Sequence, residues 1–402
     1  MIPMQQHFDR VIYALGSAEV EAEMKNAPPL PIFSEEAHAF LAALSARILA
    51  DAEAKAYPDV VTLGFWCRPA SIHRMQHNYD SEENRLGRGI VFHIAPSNVA
   101  VNFAYSCLAA FLAGNASVVR LPSKDFPQVD VLCRIFTETL AEFPALFPYF
   151  LFVRYGHVQE VNEHYSRMCQ TRVVWGGDAT IGEIRRAPLP PRANEITFAD
   201  RHSLAVLDAD AYLAAADKAR IAQDFYNDTY LSDQNACTAP CFVVWLGTAE
   251  KVKAAQEIFW RTLHELVRTR YTLQAVQVVD KLTHLYRLGA CFEARQIEMP
   301  DNLITRVRVA QLTEELSAYR AGSGFFIEYD AKELSEIRPL CGISCQTLSY
   351  YGVDRDSLLQ EILAMRPAGV DRIVPIGRTM DFALVWDGVD LIRTMSRALT
   401  AV

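Results

Sequence analysis

Gly89-Ile-Val-Phe-His-Ile-Ala-Pro-Ser-Asn98 is the stretch that decides the fold. Its first six residues are apolar but for one histidine and read as a short buried strand over 89–94. Ala-Pro-Ser-Asn then breaks the run, and the apolar segment 100–113 reads as a helix. Outward from this unit the alternation repeats. Strands are expected at 116–121, 150–154 and 172–175, and helices at 128–142, 158–168 and 179–186. Strands roughly 25 residues apart with helices between them predict a parallel, doubly wound α/β sheet. The run Pro188-Leu-Pro-Pro191 punctuates the end of this series. A second series follows, with strands at 203–207, 240–246, 344–350 and 371–376 and helices at 211–227, 249–268 and 356–365. Ahead of the first series, residues 1–87 read as an irregular, helix-rich extension. It holds one helix over 34–55, with Ser34 as N-cap and Glu35 and Glu36 in the first turn. The expected division is 1–200, an extension plus the first sheet, and 201–376, the second. The tail 377–402, with Trp386-Asp-Gly388 and a terminal helix, is expected to pack back on the first domain or on a partner subunit.

Composition narrows the function classes. The chain has 402 residues, 51% of them apolar and 22% charged, which is a globular balance with room for two cores. A formal charge of −9 and the lack of any Lys/Arg run argue against nucleic acid as a partner. The start, Met1 to Arg10, shows no charged region followed by an apolar core, so no signal peptide is expected. The longest apolar stretch, 99–114, is too short for a membrane span and carries Asn102 and Ser106. Nine scattered cysteines fit a reducing compartment, so a cytoplasmic protein is expected. Cys237/Cys241 and Cys341/Cys345 form two Cys-x3-Cys pairs, but strand spacing sets such residues too far apart to share an ion. No metal site is expected.

The chemistry-bearing residue is Cys237, in Tyr230-Leu-Ser-Asp-Gln-Asn-Ala-Cys-Thr-Ala-Pro240. Polar and small residues precede it and a buried strand follows, so the thiol sits at the mouth of a loop, placed for attack. Cys241, inside that strand, reads as a small core residue. Three further loops fall where a parallel sheet binds ligands, at the carboxyl ends of strands. They are Ala95-Pro-Ser-Asn98, then Leu121-Pro-Ser-Lys-Asp125 following Arg120, and Trp175-Gly-Gly-Asp178. None carries the Gly-x-Gly-x2-Gly or P-loop pattern, and each is compatible with an ordinary strand-to-helix turn. Asn98 is either a crevice amide or the cap of the helix after it, and Asp178 an N-cap.

Taken together, these segments resemble the aldehyde dehydrogenase superfamily. The closer resemblance is to its acyl-CoA reductase branch, the bacterial luminescence fatty-acid reductase family. The superfamily resemblance rests on Ile94-Ala-Pro-Ser-Asn98, Leu112-Ala-Gly-Asn-Ala-Ser-Val-Val-Arg-Leu-Pro122, Trp175-Gly-Gly177 and Gln234-Asn-Ala-Cys237. The closer one rests on His93-Ile-Ala-Pro-Ser-Asn98, Asp233-Gln-Asn-Ala-Cys-Thr238, Cys345-Gln-Thr347, Arg372-Ile-Val-Pro-Ile-Gly377 and Trp386-Asp-Gly388. The resemblance implies two parallel-sheet α/β domains with the active site in the cleft between them. It implies Cys237 as nucleophile and Asn98 as oxyanion donor. Arg120, Pro122 and Ser123 would lie on the cofactor's ribose side, and Gly176 and Gly177 at its nicotinamide end. Arg120 stands where the superfamily usually has a ribose-binding Lys, and a guanidinium suits a 2′-phosphate, so NADPH is expected, with NADH as the alternative.

One absence refines the expectation. Ordinary aldehyde dehydrogenases hydrolyse their thioester with the Glu of a Glu-Leu-Gly-Gly-Lys segment. Here the corresponding run is Ile196-Thr-Phe-Ala-Asp-Arg-His-Ser-Leu204. Without a positioned base, attack by water on an acyl-enzyme loses a factor on the order of 10²–10⁴. The expected reaction is therefore reduction of an acyl thioester to an aldehyde. The donor would be acyl-CoA or an acylated partner synthetase, and a homo-oligomer is expected. An aldehyde dehydrogenase, an acyl-phosphate reductase and a Cys-dependent acyltransferase without redox chemistry are the alternatives. A non-catalytic relative is a further one. Asp200 and His202 read as turn residues, Glu333 and Glu336 are unassigned, and aromatics over 225–230 are core or the wall of an acyl tunnel.

Overall fold

The segment 89–98 folds as expected, and a sheet is built around it. In the computed structural model, residues 11–81 and 84–400 are described; the chain start read above for a signal peptide lies outside them. The described strands of the first sheet are β1 (Ile12–Leu15), β2 (Ile90–Ile94), β3 (Ala116–Arg120), β4 (Phe150–Arg154), β5 (Thr171–Trp175) and β6 (Asn194–Phe198). The helices between them include α1 (Glu35–Ala50), α2 (Asn102–Leu112), α3 (Pro127–Leu140), α4 (Gln159–Met168) and α5 (Asp178–Ile184), and shorter ones at Ala18–Met24, Pro58–Trp66 and Pro69–Gln76 flank α1. Strand order is β1-β4-β3-β2-β5-β6, parallel except for β1, which runs antiparallel along β4.

Helix α1 begins as read: the Ser34 hydroxyl accepts from the Ala37 N–H at 3.3 Å. It ends at Ala50, earlier than expected, because Asp51 turns to extended backbone and its carboxylate accepts from Ala54 N–H at 2.8 Å. Its inner face carries Phe40 into a nest around Phe150, the first residue of β4. The Phe150 ring centroid lies 4.9 Å from Phe40, 4.8 Å from Phe111 and 5.9 Å from Phe136.

The tail from Phe382 belongs to this same compact unit. Phe382 stacks on Tyr105 at 4.5 Å, and Ser396–Ala398 pairs antiparallel with Arg85–Gly87. The wholly buried amide of Asn115 is the polar tie. Its Oδ1 accepts from Arg88 and Gly89 N–H at 2.7 and 3.1 Å; its Nδ2 donates to the Ala110 and Met395 carbonyls at 3.1 and 3.0 Å. The preceding residue must be glycine: Gly114 has φ +86°, and a Cβ there would lie 2.0 Å from the Leu30 carbonyl oxygen.

The second compact unit spans residues 200–381. Its described strands are β7 (His202–Asp208), β8 (Pro240–Leu246), β9 (Ala294–Ile297), β10 (Thr305–Val309), β11 (Phe325–Ala331), β12 (Cys345–Tyr351) and β13 (Arg372–Pro375). They are ordered β9-β10-β11-β8-β7-β12-β13, with only β9 antiparallel. Alternation sorts the side chains to two faces. Leu204, Val206, Phe242, Val244, Phe325 and Ile327 pack on one; Ala205, Leu207, Val243, Trp245 and Phe326 pack on the other.

Where one helix was expected over 211–227 there are two, α6 (Ala209–Ala214) and α7 (Lys218–Thr229). The cause is a second cap. Asp208 caps α6 through Ala211 N–H, Ala215 is extended, and Asp217 caps α7 through Arg220 N–H. The long helix α8 (Ala249–Arg270) is followed by α9 (Ala275–Cys291), and α10 (Arg355–Met365) precedes β13.

Asn115→Ala removes four side-chain hydrogen bonds to the backbone of the first unit, and about 2–4 kcal/mol of stability should be lost. Urea denaturation of the purified variant, compared with wild type, measures it.

Candidate active site

The first unit presents its loops at the carboxyl edge of its sheet. From β2 the chain steps to β3 and β4 on one side and reaches β5 on the other, so β2 and β5 flank a topological switch point. Ligands bind outside the carboxyl ends of strands at such a point. Asn98 is exposed on the loop after β2, and it does not cap α2, whose N-cap is Val101. The neighbouring hydroxyls of Ser97 and Ser123 lie 2.9 Å apart, joining the loops after β2 and β3. Pro122 is buried, and its carbonyl accepts from Arg154 at 3.3 Å. Arg120, the last residue of β3, stacks its guanidinium 4.6 Å from the Tyr155 ring centroid and donates to the Gly156 carbonyl at 3.2 Å.

After β5, the Gly176 N–H donates to the Phe198 carbonyl at 3.1 Å. Gly177 is the N-cap of α5, with φ −65°, and a Cβ on it would meet nothing within 4 Å. Nothing in the chain's own packing requires glycine there, which leaves room for a ligand to approach the backbone. Asp178, read as a possible N-cap, is instead the first residue of the helix. Beneath these loops lies His93, wholly buried, with Nδ1 2.8 Å from the Ser106 hydroxyl and Nε2 3.3 Å from that of Ser117. Burial pushes it down to about 3, so it is neutral. Trp175 Nε1–H donates to the same Ser106 at 3.0 Å, so one polar knot underlies the ends of β2, β3 and β5.

In the second unit, Cys237 lies at the opposite kind of edge, just ahead of the amino end of β8. The Ala239 N–H donates to the Ala236 carbonyl at 2.9 Å, making Cys237 and Thr238 the central pair of a tight turn. Cys237 is half-buried. Its carbonyl accepts from the Ser203 hydroxyl at 2.6 Å, and that hydroxyl in turn accepts from Thr347 N–H at 3.2 Å.

The turn is anchored by Gln234, a buried amide with every hydrogen-bonding position used. Its Nε2 donates to the Pro240 and Phe325 carbonyls at 2.9 and 3.1 Å. Its Oε1 accepts from the Gly324 and Phe325 N–H groups at 2.9 and 3.1 Å. Asp233 and Gln234 both hold positive φ, 51° and 58°, an uncommon conformation for such residues. Asp233 is fixed there by Tyr271 and Gln277, the latter at 2.6 Å. Cys241 is buried in β8, pushed up to about 11 by burial, with its sulfur 3.5 Å from the Ser203 carbonyl oxygen.

The remaining residues singled out from the sequence have structural partners. His202 is buried, with Nε2 3.0 Å from the Leu340 carbonyl oxygen, and burial lowers it to about 4. Asp200 pairs with Arg320 at 2.8 Å. Glu333 and Glu336 form a capping box. Phe225, Tyr226 and Tyr230 are core residues of the α7–α8 face. Sequence reading missed Asp228, a wholly buried carboxylate on α7. It accepts from Gly377 N–H at 2.6 Å and Thr379 N–H at 3.1 Å, yet burial still pushes it up to about 6, with Asp224 adding to the rise.

Among the described residues, no group of three or more His, Cys, Asp or Glu is placed to hold a metal ion. No described helix is long and apolar enough to cross a membrane.

Asp228 binds its proton more tightly folded than unfolded, so its contribution to stability is present below about pH 4 and lost as pH rises through about 6. Asp228→Asn lacks that loss. Its stability relative to wild type should therefore climb by up to about 3 kcal/mol between pH 4 and pH 7 and then level off. Thermal melts of both proteins across that range measure the difference.

The chain is similar to known proteins in sequence family and in fold. A profile of the LuxC acyl-CoA reductase family matches residues 37–278. No curated protein sequence matches the chain. Among solved structures, lactaldehyde dehydrogenase from Escherichia coli is 14% identical, with a TM-score of 0.64 over 95% of this chain and 88% of that one. A Thermus 1-pyrroline-5-carboxylate dehydrogenase with bound NAD is 15% identical, with a TM-score of 0.61 over 96% and 84%. A 3,6-anhydro-L-galactose dehydrogenase in complex with NAP is 14% identical, with a TM-score of 0.58 over 89% and 82%. At such identities the likeness speaks for the fold. It is the aldehyde-dehydrogenase-like α/β fold of two mostly parallel sheets.

Proposed function

The chain belongs to the LuxC acyl-CoA reductase family, and on that premise we propose that it reduces an acyl thioester to the aldehyde with NADPH, through an acyl-Cys237 intermediate. The observation that carries this reading is Cys237 itself. Seven of the other eight cysteines are buried, and Cys291 is a lone surface thiol at the end of α9. Cys237 alone sits half-exposed in a turn whose backbone is tied down by Ser203 and Gln234. Such a thiol is held for attack without being sealed in.

In this reading the Cys237 sulfur attacks the acyl carbon, the bond to the donor sulfur breaks, and the donor thiol leaves with the Cys237 proton. The Asn98 amide and the Cys237 backbone N–H are the donors assigned to the carbonyl oxygen as it gains charge. Reduced nicotinamide, when bound, supplies a hydride to the acyl carbon. The Asn98 amide and the Cys237 N–H then hold the resulting alkoxide until the carbon–sulfur bond to Cys237 breaks. The thiolate takes up a proton and the aldehyde leaves. The run 196–204 supports reduction over hydrolysis. It supplies the end of β6 and the start of β7, and its one carboxylate, Asp200, is paired with Arg320.

For the cofactor, the carboxyl-edge loops of the first unit fit a dinucleotide. Arg120, Pro122 and Ser123 are assigned to the ribose side, with Arg120 favouring the 2′-phosphate of NADPH over NADH. Gly176 and Gly177 are assigned to the nicotinamide end, where the space beside Gly177 admits it. The donor is a coenzyme A thioester or an acylated partner synthetase. The enzyme would work in the cytoplasm as a homo-oligomer.

The test is incubation with radiolabelled acyl-CoA without cofactor, followed by NADPH with aldehyde trapping. Wild type and Cys241→Ala should be labelled and should release aldehyde on addition of NADPH; Cys237→Ala should do neither. Equal labelling of Cys237→Ala would place the nucleophile elsewhere, and labelling without aldehyde would leave an acyltransferase. Asn98→Ala should retain labelling and lose about 10²–10³ in kcat, read from steady-state NADPH consumption.

A further inference from the structure

The segment Arg372-Ile-Val-Pro-Ile-Gly377 and the loop that continues from it carry no assigned role, yet the loop is held from both sides. On one side Asp228 takes the N–H groups of Gly377 and Thr379 at 2.6 and 3.1 Å. On the other the Arg372 guanidinium donates to the carbonyls of Thr379 and Asp381 at 3.0 and 3.1 Å. Thr379 is thus gripped at both ends of its backbone, by a carboxylate and by a guanidinium. The loop also lies tight against α7. Gly377 has φ +93°, and a Cβ there would stand 2.7 Å from the Asp224 Cβ. Thr379 is followed by Met380, whose sulfur accepts from the Thr238 hydroxyl at 3.3 Å. Thr238 is the partner of Cys237 at the centre of the nucleophile's turn.

Resting on the assignment of Cys237 as nucleophile, we propose that Asp228 is a positioning residue for catalysis: through the loop 376–381 and the Met380–Thr238 contact it sets the placement of the Cys237 turn. Asp228 touches neither substrate nor thiol; it acts on the loop's backbone. Burial makes the ionised carboxylate costly to the fold above about pH 6, and what it holds there is the loop, through the N–H groups of Gly377 and Thr379. The Gly377 and Thr379 N–H groups reach different oxygens of the carboxylate, so an asparagine held in the same place would turn its NH2 toward one of them.

The test uses the full chain with Asp228→Asn, the smallest change that removes one acceptor. Iodoacetamide alkylation at Cys237, followed by mass spectrometry of its peptide, should change in rate by about threefold or more. The value of kcat with acyl-CoA should fall by about tenfold or more, with KM within about threefold. Amide exchange should lose protection over 376–381 and 236–239 while β7 keeps it, a pattern that general destabilisation would not produce. A folded variant with wild-type alkylation and protection overturns the proposal, as does a uniform loss of protection. If Asp228→Asn does not fold, Met380→Leu keeps the loop's bulk and removes the sulfur acceptor. Wild-type alkylation of that variant overturns the proposal, and a shift of about threefold upholds it. Alkylation needs no acyl donor. A shifted alkylation rate in a protein inert to acyl-CoA would retain the positioning role and remove the thioester-reductase reading.

Discussion

The second unit depends on one neutral amide. Gln234 satisfies two carbonyls and two N–H groups at once, and it does so between the turn that carries Cys237 and the first residues of β11. Leaving such a group or its partners unpaired in the interior costs about 1–3 kcal/mol each, so the bonds hold as a set. Around that set the chain adopts two consecutive left-handed residues, a conformation that needs support from outside. Asp233, gripped by Tyr271 and Gln277, gives part of it, and Ser323 N–H on the Asp233 carbonyl gives more. Lys281 of α9 completes the chain of support by donating to the Ser323 carbonyl at 2.9 Å. Burial brings this lysine down to about 8, as expected where it donates to carbonyls and carboxylates act only from further off.

The alternating architecture was legible because its signals are local. Strands such as β4 and β8 end where turn residues stop an apolar run, and the structure gives Phe150–Arg154 and Pro240–Leu246 with the expected limits. What escaped is what no local pattern encodes. The edge strand β1 runs antiparallel along β4 across a long stretch of chain. Strand β10 alternates arginine with valine, and β11 carries Glu328 and Asp330 in its second half. Arg306 and Glu328 are both buried because they pair at 2.5 Å beside Trp260, a compensation invisible to a hydropathy reading. The division of α6 from α7 was within reach, since Asp208 and Asp217 are both capping residues, and a second cap inside an expected helix marks a second start.

The site was legible at the level of residue type and loop position, and much less so in its supports. Cys237 stood out because a thiol in a polar stretch is unusual, and the structure places it in a half-exposed turn. Gln234, one polar residue of the run before Cys237, is the anchor of that turn. Asp228 drew no attention because a single acidic residue near the end of an amphipathic helix normally faces water. Its burial follows from the loop 376–381 lying over it, about 150 positions away in sequence, which a reading of neighbours does not bring together. A signal was present in Gly377: a glycine after a short strand often marks a close approach of backbone to another element, here the Asp224 side chain.

The two anchors differ in kind, and the difference has a consequence. A carboxamide matches donors and acceptors together and carries no charge, so Gln234 can be buried at the cost of its desolvation alone. The loop 376–381 is instead divided between ions, its N–H groups on Asp228 and its carbonyls on Arg372. Proton binding to Asp228 alters that grip near pH 6, whereas nothing in the Gln234 set titrates with it. The backbone frame of the Cys237 turn therefore stays the same across the pH range in which the loop beside Thr238 changes its hold. The four bonds of Gln234 at the turn are neutral, and the loop that tunes the thiol through Met380 is held by charged groups.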